Sequence, residues 1–165
     1  MAGLIGAVLG VVVVGVLGGV AAWLVLGAVR RTAARQGRDL PAPAAGWPPS
    51  EALVGPAAAR YLGTTFSPSK VQRAAAHGLL GRGVVTLTVE REGLRVARAG
   101  GGWCVPAADL RGARATASHA GKHAGDGAVL VVNWVLGGTG LTSGFVLDPA
   151  DVPEFVAGVQ AVVPV

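Results

Sequence analysis

Residues 2–29 of this 165-residue chain contain no charged side chain, and no Lys or Arg precedes them. A cleaved signal peptide needs a basic leading region and an apolar stretch of only about 7–15 residues, so an uncleaved segment is expected instead. Ionisable residues inside a span mark transport pathways, and without them one helix has nothing with which to move a solute unaided. Lysine is scarce, at Lys70 and Lys122 only, and Cys104 is the one cysteine. A lone cysteine forbids an internal disulfide and agrees with a reducing compartment. Set in the strand-like run Trp103-Cys104-Val105, it is expected to be a buried structural thiol. No basic face carrying base-reading elements is apparent, so nucleic acid is not an expected partner.

What is present begins with that apolar run. About 20 apolar residues span a bilayer core as a helix, and 28 at about 1.5 Å each reach roughly 42 Å. Arg30, Arg31, Arg35 and Arg38 follow directly. Basic residues gather on the cytoplasmic flank of a span, which predicts an N-terminus outside the cell membrane and a cytoplasmic remainder. Trp23, two helical turns before Arg30, suits an interfacial anchor. Trp23 and the four arginines are therefore the expected membrane-surface contacts, and the bilayer and its anionic lipids the expected partners. The formal charge of +5 divides accordingly: residues 57–165 hold ten basic and seven acidic side chains, a balance of +3.

Three parts are expected: a transmembrane helix over 2–29, a basic collar and proline-rich linker over 30–56, and one domain over 57–165. The linker Pro41-Ala-Pro-Ala-Ala-Gly-Trp-Pro-Pro49 favours extended polyproline conformation. As a stalk it holds the domain up to about 40 Å from the bilayer; a folded-back path is equally allowed, with Trp47 on the domain or on the headgroups. In the domain, Tyr61–Phe66 reads as a strand and Ser67–His77, with Ser and Pro ahead of an Ala-rich stretch, as a short helix. Val85, Leu87 and Val89 alternate with Thr86 and Thr88, Glu92-Gly93 turns, and Leu94–Ala97 pairs back, predicting a hairpin. Strands are further expected at Trp103–Pro106, Leu110–Ala117, Ala128–Leu136 and Leu141–Leu147. Asp148, Pro149 and Asp151 read as the start of a helix whose stripe is Val152, Phe155, Val156, Val159 and Val162.

About seven strands with one C-terminal amphipathic helix suggest an open barrel plugged at one end. The strings Tyr61-Leu-Gly-Thr-Thr65, Arg73-Ala-Ala-Ala-His-Gly-Leu79, Val105-Pro-Ala-Ala-Asp-Leu-Arg-Gly112 and Gly144-Phe-Val-Leu-Asp148 resemble those of actinobacterial membrane-anchored proteins with a pleckstrin-homology-like (PH-like) domain. The resemblance covers nearly the whole chain. It implies one transmembrane helix followed by a mainly-β domain, a bent seven-stranded barrel capped by a C-terminal α-helix. Such proteins are commonly labelled membrane, export or transporter proteins, and their genes often neighbour those of pyrimidine biosynthesis. The resemblance brings no catalytic residues.

No motif supplies chemistry. His119 and His123 are four apart, a metal-binding spacing on a helix, but Gly121 and Gly125 argue for a solvated loop. His77 reads as a satisfied helix-end histidine. Gly121-Lys122 is followed by His123 and is no phosphate loop, and Ser143-Gly144 lacks the glycine two residues before it that a nucleophile elbow has. Catalytic, cofactor-binding and metal residues are none, and an enzyme is not expected. Arg91, Arg95 and Arg98 surround the Val84–Ala99 hairpin without converging, unlike an inositol-phosphate site. The expected function is a membrane-anchored cytoplasmic binding or scaffolding module for a protein partner, hypothetically one that adds a strand to an exposed sheet edge. The alternative is recognition of an anionic lipid headgroup or small anionic ligand, and a third reading is an accessory subunit of a transporter.

Overall fold

The computed structural model describes residues 2–69 and 72–164, with side chains from Val14 onward. Helix α1 runs from Ala2 to Asp39 without a break, so the arginine collar continues the apolar helix rather than ending it. Val14–Asp39 is the one described helix long and apolar enough to cross a membrane, and none of its apolar window is buried against the domain. The first half of the expected span, residues 2–13, lies outside the described side chains.

The domain is a seven-stranded antiparallel sheet, bent so that its first strand serves both halves. The strands are β1 (Ala52–Phe66), β2 (Gly83–Glu90), β3 (Gly93–Ala97), β4 (Trp103–Pro106) and β5 (Leu110–Thr116). A two-residue pair, β6 (Ser118–His119) and β7 (Lys122–His123), forms a separate hairpin, and β8 (Val129–Leu136) and β9 (Thr139–Val146) complete the sheet. Strand order is β4-β3-β2-β1-β9-β8-β5. The leading part of β1 pairs with β2, from Ala52 opposite Glu90 to Tyr61 opposite Gly83. The trailing part pairs with β9, and a register shift between Tyr61 and Gly63 marks the bend, as bulges do.

Alternation puts Tyr61, Leu87, Leu94, Leu130, Trp134 and Phe145 into the core. Tyr61 lies edge-on to Trp103, with ring centroids 4.9 Å apart. Its hydroxyl ends a buried relay. The Trp134 indole donates to Ser143 Oγ at 2.9 Å, Ser143 and Thr64 share a bond of 2.6 Å, Thr64 meets the Tyr61 hydroxyl at 2.5 Å, and that hydroxyl donates to the Leu79 carbonyl at 2.7 Å. Helix α2 (Val152–Val162) closes the open end, burying Val152, Phe155 and Val159 and leaving Val156 and Val162 at the margin.

Several sequence expectations shift. Helix α2 begins at Val152, not Pro149, because Asp148 closes a turn of its own: its side chain accepts from Ala150 N at 3.0 Å and its carbonyl from Asp151 N at 3.0 Å. Strand β1 begins at Ala52 rather than Tyr61, since pairing with β2 outweighs the weak strand preference of its alanines. The helix expected over Ser67–His77 is absent among the described residues; Lys70 and Val71 lie outside them. The segment instead turns back along the end of β1, with Phe66 N donating to Gln72 O and Ala74 N to Thr64 O, each at 2.9 Å. Ala74 and Ala76 are fully buried there, so the small side chains serve close approach rather than helix propensity. The linker takes its folded-back path: Ala44 bridges to Cys104, and Leu40 is buried in the domain core.

Candidate functional site

The structure places Trp23, Arg30, Arg31, Arg35 and Arg38 on α1, all exposed. Within the collar, between Arg35 and Arg38, the helix docks on the loop that joins β1 to β2. Gln36 uses both ends of its amide, donating to Arg73 O at 3.3 Å and accepting from Ala75 N at 2.6 Å. His77 Nε2 donates to the Leu40 carbonyl at 2.7 Å, so this histidine is satisfied as expected, although in a 3-10 turn rather than at a helix end.

The linker is clamped as well. The indole of Trp47 donates to Glu90, Ser50 donates to Glu90 at 3.2 Å and to Glu92 at 2.5 Å, and Arg95 lies over the Trp47 ring. Arg95 and buried Glu90 form an ion pair of 2.7 Å. The Arg95 hydrogen bond, ahead of every other influence, holds the Glu90 carboxyl below its usual range. Arg98 lies over Trp103 and donates to Gly101 O and Gly78 O. Two of the three hairpin arginines are therefore committed to structure. Cys104 is buried, and that burial pushes its thiol pKa up, as suits a structural cysteine.

The open chemistry lies on the opposite side of the bend, around the β6–β7 hairpin. Gly63 of β1 and Gly144 of β9 are cross-strand partners, and together they leave a notch in the outer face of the sheet. His119 fills it. A β-carbon on Gly144 would lie 2.3 Å from His119 Cδ2, and one on Gly63 would lie 3.2 Å from Arg73 Nη1. Arg73 straps the hairpin down, donating to Ala120 O at 2.7 Å and Leu62 O at 3.5 Å. Beneath the hairpin, Leu62, Val129 and Val131 form a small second core covered by Ala124. His119 was expected in a solvated loop; it is buried instead, and its Nε2 has no hydrogen-bond partner. Burial, more than any neighbour, pushes its pKa down, and the charges of Arg114 and Arg73 act the same way.

Two clefts flank the hairpin. One, of about 460 Å³, is walled by hydroxyl and amide side chains, among them Thr65, Ser118, Asn133 and Thr142, with Arg114 as its cation. The other, of about 280 Å³, is lined by Arg60, Arg82, Lys122 and His123 over a wall of Tyr61, Leu62 and Ala124. Among the described residues, neither cleft is lined by an acidic side chain. Among the described residues Arg95–Glu90 is the only ion pair, so none of these cations is neutralised by a carboxylate. No three side chains of metal-ligand type gather among the described residues. The sequence did not reveal this grouping because its members are scattered from Arg60 to His123. The available signal was negative: apart from Arg60 on β1 and Arg114 on β5, they fall in short strands and turns with no acid beside them.

A bent seven-stranded antiparallel sheet with the order found here, closed by a C-terminal helix, is the architecture of PH-like domains. A family model described as bacterial PH domain-like matches residues 38–160, and the chain belongs to that family. No curated protein matches the chain in sequence. The matched stretch begins at Arg38, so the folded-back linker falls within it.

Proposed function

We propose that the chain is a single-pass membrane protein with its N-terminus outside and its PH-like domain in the cytoplasm. The domain acts as a non-catalytic module that recognises an anionic ligand beside the membrane. The observation that carries this reading is the set of cations around the β6–β7 hairpin, with no ion pair to them and no carboxylate lining either cleft among the described residues. Held together without partners, such charges repel one another, and an anion relieves that repulsion. The arginine collar adds a general attraction to anionic lipid, about 1 kcal/mol per residue at a charged surface.

Strand addition by a protein partner is less well supported. Both outer strands of the sheet are engaged: Cys104 N on β4 donates to Ala44 O at 2.8 Å, and Gln160 of α2 donates to Ala113 O on β5 at 3.3 Å. Calorimetric titration of the full chain in neutral detergent with carboxylates and phosphates tests the proposal. Binding of at least one anion, weakened at high salt, is expected. No heat with any of them would overturn it.

A further inference from the structure

We infer that the larger cleft takes a polyhydroxylated monocarboxylate, a sugar acid, with Arg114 holding the carboxylate and Asn133, Thr142 and Ser118 meeting the hydroxyls. This deepens the anionic-ligand reading and rests on it. Register explains how the cleft is made. Thr65 pairs with Thr142, Thr142 with Asn133 and Asn133 with Gly112, so one polar row crosses β1, β9, β8 and β5 on the outer face of the sheet. Two residues along each strand, the row Gly63, Gly144, Val131 and Arg114 lies on that same face. His119 occupies the glycine end of this second row, and Arg114 stands at the other. The turn after β1, with Ser67 and Ser69, and Ser118 of the hairpin line the sides.

The lining selects among ligands. Thr142 Oγ1 donates to Asn133 Oδ1 at 3.1 Å, which leaves the Asn133 amide nitrogen to donate and the Thr142 oxygen to accept. Among the described residues, no hydrogen bond or ion pair engages the side chains of Arg114, Thr116 or Ser118. Hydroxyls and an amide that both give and accept are complementary to ligand hydroxyls, which do the same. No aromatic ring other than the His119 imidazole lines the cleft among the described residues, so a nucleobase finds no broad face on which to stack. Arg114 is the one Arg or Lys described there, and a single planar guanidinium fork matches a carboxylate rather than a multiply charged ion. His119 adds a polar group without a second charge: burial keeps its ring neutral, and its Nε2 has no partner. A volume of about 460 Å³ lies within the range of small-molecule sites, about 300–1,000 Å³.

The test is calorimetric titration of the full chain in a polyoxyethylene detergent, whose headgroup carries no sugar. The probes are D-glucuronate, D-glucose, acetate and inorganic phosphate. Glucuronate should bind most tightly, since glucose lacks the carboxylate and acetate the hydroxyls. Its affinity should fall about 10-fold or more in Arg114→Gln and about 3-fold or more in Asn133→Ala, as expected for a charged and a neutral hydrogen bond. Arg114 is exposed and Asn133 half-buried, so the fold is retained. Arg82→Gln, in the smaller cleft, should stay within about twofold of wild type, as a separate site does. An equal response to glucose or to acetate, or tighter binding of phosphate, would overturn the sugar-acid assignment while leaving the anionic module standing. Glucuronate binding that is unaltered in Arg114→Gln, or is lost only in Arg82→Gln, would overturn the site. No heat with any of the anions would overturn the anionic reading with it.

Discussion

Substituting Gly144 by alanine tests the notch that seats the hairpin. The added β-carbon would lie 2.3, 2.5 and 2.7 Å from Cδ2, Cγ and Cβ of His119. Ordinary carbon contacts sit at about 3.5–4.0 Å, so the imidazole has to retreat by more than about 1 Å. The clash reaches the ring's root as well as its edge, so rotation alone does not relieve it, and the hairpin must lift from Leu62, Val129 and Val131. Overpacking of this kind costs about 1–3 kcal/mol. Replacing glycine by alanine where the backbone allows it returns about 0.4–1 kcal/mol through the unfolded chain. The net expectation is a loss of about 1–2 kcal/mol, read by denaturant unfolding of the full chain in mild detergent and followed by tryptophan fluorescence. His119→Gly removes the obstruction, Cβ included, so Gly144→Ala/His119→Gly should be no less stable than His119→Gly alone, a coupling of at least about 1 kcal/mol. A single variant with the wild-type midpoint, or strict additivity in the pair, would refute the notch.

Burial lowers the His119 pKa in the folded chain, so its contribution is complete above the unfolded value of about 6.5 and is lost as pH falls through the folded one. Wild-type stability should therefore rise between pH 5 and 7, and His119→Gln should flatten that slope. Glu90 is depressed too, with its stabilisation complete above the unfolded value of about 4.3 and lost at lower pH; Glu90→Gln should cost about 2 kcal/mol at pH 7 and much less at pH 3. Tyr61→Phe leaves the Leu79 carbonyl without its hydroxyl donor and should cost about 1–2 kcal/mol in thermal unfolding. For topology, Ala2→Cys should react with an impermeant maleimide on intact cells and Gly121→Cys only after permeabilisation, and the opposite pattern would reverse the proposed orientation.

The regular parts of this fold were legible because period-two alternation and turn residues speak locally. The hairpin Val84–Ala97, the strands from Trp103 and Val129, and the apolar stripe of α2 all came from such patterns. The misread segments are those whose conformation is decided by a distant partner. Ala74 and Ala76 look helical by propensity, but they lie where α1 and the end of β1 close on each other. Trp47 left two destinations open, and only the fold brings Glu90 and Arg95 to it. The basic cleft was illegible for the same reason: three segments supply it, and the strap that joins them, Arg73 to Ala120 O, spans 47 positions.

The docked helix changes what the anchor can do. A stalk would let the domain range about 40 Å from the bilayer, whereas here the apolar run ends at Val29 and docking begins at Gln36. Those seven residues rise only about 10 Å, while the headgroup layer on each side of the hydrocarbon is about 5–8 Å deep. In the proposed membrane-anchored arrangement, the β1–β2 loop, which ends in Arg82 of the basic cleft, is thereby held close to the reach of the surface potential, a Debye length of about 8 Å in physiological salt. Gln36 is the hinge pin of this arrangement. Gln36→Ala strips the partners from Ala75 N and Arg73 O, at about 1–2 kcal/mol. Spin labels at Ala34→Cys and Gly121→Cys in full chain reconstituted in nanodiscs should give a narrow distance distribution that broadens in the Gln36→Ala background. Cys104 is buried and should not take up label. A distribution already broad with Gln36 in place would mean that the domain swings freely from its anchor, and the helix would then be a tether rather than a mount.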